Sequence, residues 1–134
     1  MLEELNGVFK DVINLARDHR IYYEKHSVGG TPEEIHEFSK TPEGQEIKRR
    51  KNLLKNYMDE LDFETIKVLQ IIMYLGRDRE YDKQDTPEEI YRKDREYFDS
   101  QGWNTQSIET NQMIGKLPFD QYLEIGLEIL QIRY

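Results

Sequence analysis

The sequence predicts an all-α fold, a compact bundle of six or seven helices around one buried central helix. Three observations predict it. Apolar residues recur at three- and four-residue spacing along most of the chain, as amphipathic helices require. Thr-Pro-Glu triplets begin at Thr31, Thr41 and Thr86; Thr caps free backbone N–H groups and Pro is preset for a first helical turn. No stretch alternates with period two for long enough to make a strand.

The first helix is expected over residues 2–26, with Leu5, Phe9, Val12, Ala16 and Tyr23 on its inner face. Gly29-Gly30 breaks the chain, and a short second helix follows over 32–39. The third, over 42–60, buries Ile47, Leu54, Tyr57 and Met58, with Leu61 just beyond. Asp62 reads as the cap of the fourth, with Leu61 and Ile66 able to form a hydrophobic staple across the start. That helix, 63–75, is apolar nearly all round and is therefore the central one, with Gly76 as its stop. The fifth covers 87–100 and ends before Gly102; the sixth covers 105–114 and ends at Gly115. The seventh, 118–132, turns Phe119, Tyr122, Leu123, Leu127 and Leu130 inward. Thr31 with Glu34 and Thr86 with Glu89 have capping-box spacing, in which cap and carboxylate satisfy each other's backbone donors. Gly126 inside a helix costs about 1 kcal/mol against Ala, so close packing is expected there, against Trp103 or the central helix.

A length of 134 residues supports one domain. Hydrophobic residues make up 37% and charged residues 34%, which suits a small, highly solvated helical protein. No cysteine is present, so disulfides, thiolate metal sites and cysteine nucleophiles are excluded, and a cytoplasmic home is expected. The N-terminus has no basic region ahead of an apolar run, and residues 66–75 are too few for a membrane span. The formal net charge of −8 argues against nucleic acid. The one basic cluster, Lys48-Arg49-Arg50-Lys51 with Lys55, reads as solvated helix surface.

Two acidic arrangements are candidate cation sites. Glu33, Glu34 and Glu37 form EExxE on the second helix, a spacing that suits Mg²⁺ in phosphate chemistry. This resembles the metal motif of all-α nucleotide pyrophosphohydrolases. That family also has ExxD on a later helix, for which Asp59–Asp62 and Glu96 with Asp99 are imperfect analogues. Separately, residues 78–89 align with a twelve-residue calcium loop, with Asp78, Glu80 and Asp82 at the first, third and fifth positions. Thr86 stands at the ninth and Glu89 at the bidentate twelfth. Lys83 occupies the place of the turn glycine and Asp85 that of the apolar residue, so an acidic, solvated linker is the favoured reading. His19, His26 and His36 match no zinc spacing, and no GxSxG elbow or phosphate-binding glycine loop occurs.

The nine tyrosines and single tryptophan read as core edge or partner interface. Trp103 is expected to plug the space between the fifth and sixth helices. Leu75-Gly76-Arg77, and Leu117-Pro118 running into Tyr122-Leu123 and Gly126-Leu127, resemble a small uncharacterised bacterial family with LGR and LPxxxYLxxGL-like motifs over about residues 61–130. The resemblance implies a compact helical unit, with residues 1–60 packed on it, and brings no activity. Arg77, Trp103 and Tyr122 emerge as candidate interaction residues. The expected function is that of a non-enzymatic, protein-binding or regulatory helical module, with a homo-oligomer as one form of partnership. Mg-dependent nucleotide hydrolysis and calcium binding stand as alternatives.

Overall fold

A computed structural model describes all 134 residues, and they form seven α-helices and no strand. A 3₁₀ turn at Glu3–Leu5 leads into α1 (Asn6–His26). Then come α2 (Pro32–Ser39), α3 (Pro42–Asp59), α4 (Phe63–Asp78), α5 (Pro87–Gln101), α6 (Gln106–Ile114) and α7 (Phe119–Ile129). The side chains of Thr31, Thr41, Asp62, Thr86 and Thr105 each accept from a backbone N–H three residues on. Only Thr86 completes the box, because Glu89 also accepts from the Thr86 backbone N–H. At Thr31 the expected box is half made: the Glu34 carboxylate takes the Thr31 hydroxyl instead of its backbone N–H.

α4 is the central helix, with ten of its sixteen residues buried. Ile66, Leu69, Ile72 and Met73 meet Phe9, Val12 and Ile13 of α1, Leu54 and Met58 of α3, and Met113 of α6, in one continuous core. Phe119, Leu123 and Leu127 of α7 close that core from the other side. Each such side chain contributes about 1.5–3 kcal/mol on burial, which is what holds so charged a chain folded.

Gly76 does not stop α4. The helix runs on to Asp78 and ends at Arg79, whose φ of 55° is left-handed. Gly76 serves the crossing with α7: a Cβ there would lie 1.8 Å from the Tyr122 carbonyl oxygen. Gly126 answers from the other helix, where a Cβ would lie 2.1 Å from the Ile72 carbonyl oxygen. The close packing expected at Gly126 is thus against the central helix and not against Trp103. Tyr23, expected inward, is 40% exposed, since α1 buries nothing beyond His19.

One ion pair is built into this core. Arg20 of α1 donates two hydrogen bonds, of 2.8 and 3.1 Å, to Asp120 at the start of α7. Asp120 is 1% exposed, and the pair holds the Arg20 guanidinium above its ordinary pKa. The peripheral helices differ from this core. No residue of α2 is buried, and α5 buries only Ile90.

Candidate functional site

The three residues singled out for interaction fall along one face. Lys67 and Tyr74 lie on the stripe of α4 that begins at Phe63 and reaches Arg77, a spacing that keeps all four on one side of a helix. The Tyr74 ring stacks on Phe98 of α5, with centroids 5.4 Å apart, and Phe98 lies 6.0 Å from Trp103. Tyr97 meets Phe98 edge-on at 5.6 Å.

Cations are set against this row at both ends. The Lys67 ammonium is 4.6 Å from the Phe63 ring and 5.5 Å from the Trp103 ring. At the other end the Arg77 guanidinium covers Tyr74 at 4.6 Å, and the Lys116 ammonium approaches the same ring at 5.7 Å. Arg77 also pairs with Asp78, which raises its pKa, and the rings of Tyr74 and Tyr122 add to that effect. The Tyr122 hydroxyl donates to the Leu117 carbonyl at 3.5 Å. Trp103 is half-buried on the side of Phe98 rather than plugged between α5 and α6, and its ring N–H donates to Asp99 at 2.8 Å.

Two polar contacts fix the α5 edge of the strip. Arg95 donates to both carboxylate oxygens of Glu64, at 2.5 and 2.9 Å. It also reaches Asp99 at 3.0 Å. These contacts hold Glu64 and Asp99 below the usual carboxylate range, chiefly through Arg95 for the first and Trp103 for the second.

The acidic arrangements are not drawn together. Glu33, Glu34 and Glu37 are all exposed on α2, and Asp62 is occupied as the cap of α4. Residues 78–89 do not form a single loop, because Asp78 is still helical. Within them the Asp82 side chain accepts from the Gln84 backbone, Asp85 pairs with Lys93, and Glu89 belongs to the capping box. Nowhere do three His, Asp or Glu side chains converge in a way that could hold a metal ion. In the basic cluster Arg49 and Arg50 are both bound to Glu46, and Lys55 to Asp59. Open depressions of about 620 and 660 Å³ border the end of α7, lined by a mixture of signs from Arg79 and Lys83 to Glu124 and Glu128. No helix is long and apolar enough to cross a membrane.

Sequence reasoning missed Lys67, Tyr74 and Phe98 as members of the strip. The stripe 63, 67, 74, 77 was available as a signal for the two on α4. Nothing in the sequence pointed to Phe98, since its neighbours come from another helix. Comparison with protein-family models, curated proteins and solved structures found no match.

Proposed function

We propose that this chain is a helical protein-interaction module, docking through the aromatic and basic strip, and that its partner presents an acidic amphipathic helix. The observation that carries the reading is the row Trp103, Phe98 and Tyr74 held between Lys67 and the pair Arg77 and Lys116. Trp, Tyr and Arg are the residue types that dominate binding energy at interfaces, Trp and Tyr because they bury much surface for little lost rotamer freedom and Arg through its planar, multiply donating guanidinium. Here Trp103, Tyr74 and Phe98 are half-buried and Arg77 is exposed, so the rings are already ordered while a flank stays open.

Charge selects the partner. Neither Lys67 nor Lys116 forms a close ion pair within the chain, but Lys67 lies near enough to Glu64 and Asp99 to help hold both low, so Lys116 is the freer of the two to meet a partner's carboxylate. The net charge of −8 is spread over the whole surface and is screened beyond about 8 Å at physiological salt, so contact is governed by these local cations. A cysteine-free, highly charged module of this kind suits the cytoplasm.

The test uses Trp103, the only tryptophan, as the reporter. A tryptophan-free synthetic helix with leucines on one face and glutamates on the other is titrated against the protein, beside its lysine counterpart. The glutamate peptide is expected to shift the Trp103 emission at micromolar concentration, and Lys67→Glu with Lys116→Glu to reverse the preference. Indifference to both peptides, or a preference untouched by charge reversal, would sink the proposal. Sedimentation showing a dimer that the same reversal dissociates would replace the acidic partner with a second copy of the chain.

A further inference from the structure

Two helices end beside one depression. The chain leaves α4 at Arg79 and α7 at Gln131, and both residues hold a left-handed backbone with φ of 55°. Glycine ends helices in this conformation without strain, whereas a side chain carries a steric cost there. Here long polar side chains stand at both positions, and both line the depression of about 620 Å³.

The remaining lining divides by chemistry. Its apolar part is Ile90 of α5, which is buried, with Ile125 and Ile129 one turn apart on α7 and half-buried. The segment after α4 supplies two cations, Arg79 and Lys83. Other cations of this region are answered within the chain, Arg77 by Asp78 and Lys93 by Asp85. No carboxylate of the chain pairs with Arg79 or Lys83. α7 supplies acceptors: Glu128 is exposed and also unpaired, and no basic residue in the last turn answers the carbonyl pole of that helix.

We propose that this depression captures the C-terminal end of a partner chain. The terminal carboxylate lies against Arg79 and Lys83, an apolar last side chain covers the isoleucines, and the preceding amide N–H groups face Glu128 and the end of α7. Capture of a chain end through its carboxylate is an established mode of peptide recognition.

The shape selects this class of ligand. Sites for small molecules enclose most of the ligand's surface, and this depression is open. A chain end needs no such enclosure, because it leaves by the open side and continues. The depression shares Glu128 and Gln131 with the neighbouring one of about 660 Å³, so the residues before the end have room to run. None of its lining belongs to the aromatic and basic strip, so the two sites stand or fall independently.

Calorimetric titration with an acetylated, polar six-residue peptide ending in leucine tests the proposal, beside the same peptide closed as its amide. The free acid is expected to bind at micromolar concentration, and amidation to weaken it about tenfold or more, as loss of charge-assisted hydrogen bonds does. Arg79→Gly separates binding from folding. It removes the guanidinium and relieves the backbone, so the melting temperature is expected to hold or rise while affinity falls about tenfold. Lys83 lies on an exposed turn, and Lys83→Gln is expected to weaken binding several-fold with no change in the melt. Equal binding of acid and amide, or affinity untouched by both substitutions, overturns the proposal. So does an absence of binding by free-acid peptides ending in leucine, isoleucine or phenylalanine. If 4-methylpentanoate binds as tightly as the peptide, the site takes a small carboxylic acid and the chain end is wrong.

Discussion

At the residue scale, the polar groups inside the bundle carry its pH dependence. His19 is 5% exposed on α1, and its Nδ1 has no hydrogen-bond partner in the protein. Burial lowers its pKa below the ordinary 6.5, and the nearby Lys51 ammonium lowers it further. In the unfolded chain the imidazole takes up a proton near its usual pKa, while in the fold it resists doing so. Its contribution is therefore full above about pH 6.5 and is lost as pH falls. We expect the urea midpoint of the wild type to drop between pH 7.5 and pH 5 relative to that of His19→Gln, whose side chain does not titrate. Equal slopes for the two proteins would show that His19 binds its proton equally readily in the folded and unfolded states. The Arg20–Asp120 fork is different again. Removing Arg20 leaves the Asp120 charge with neither water nor a protein partner, whereas Arg20 keeps Glu24 if Asp120 is lost, so the fork is a joint between α1 and α7 whose buried end is Asp120.

At the scale of elements, the glycines show what sequence patterning discloses and what it hides. Gly102 reads as a helix stop and is one: its φ of 87° lies where side chains with a Cβ are strained. Gly76 gives the same local signal yet lies inside α4, because its purpose is set by α7, fifty residues on. Gly126 was legible as a close approach, since a helix-interior glycine needs a compensating contact. The order of the seven helices and nearly all their caps were likewise legible, because caps and periodicity act within a few residues of each other. The row of rings was only partly so: Arg77, Trp103 and Tyr122 stand out singly in the sequence, while Phe98 does not, because its contact exists only once α5 lies across Tyr74. The acidic runs teach the same lesson from the other side: closeness in sequence does not make carboxylates converge. The crossing itself is testable. Gly76→Ala and Gly126→Ala each drive a methyl into a carbonyl oxygen of the facing helix, and overpacking of this kind costs about 1–3 kcal/mol or more. Thermal melts should fall by several degrees for both, whereas Gly7→Ala, with nothing within 4 Å of the new methyl, should leave the melt unchanged or raise it. Wild-type melting of Gly76→Ala would mean that the two helices do not touch there.

At the scale of the whole molecule, burial is divided into two tiers. α1, α3, α4, α6 and α7 share one core, into which α5 sends Ile90 alone, so none of the amides of those five becomes exposed without disrupting the others. α2 contributes no buried residue and leans on α3 near Gly44, where a Cβ would meet the Phe38 carbonyl oxygen at 2.2 Å. That contact is between backbones and buries little apolar surface, so it fixes where α2 sits without adding much to its stability. Native-state exchange in low urea should therefore resolve two kinds of opening. Amides of α4 and α7 are expected to exchange only through global unfolding, with a steep dependence on urea that reflects the large surface exposed. Amides of α2 are expected to exchange through small openings nearly independent of urea. A single urea dependence shared by α2 and α4 would contradict this division, because it would require the peripheral helix to be tied to a core it does not enter. The strip straddles two helices of unequal burial: Tyr74 and Arg77 stand on α4, which buries ten of its residues, and Tyr97 and Phe98 on α5, which buries only Ile90.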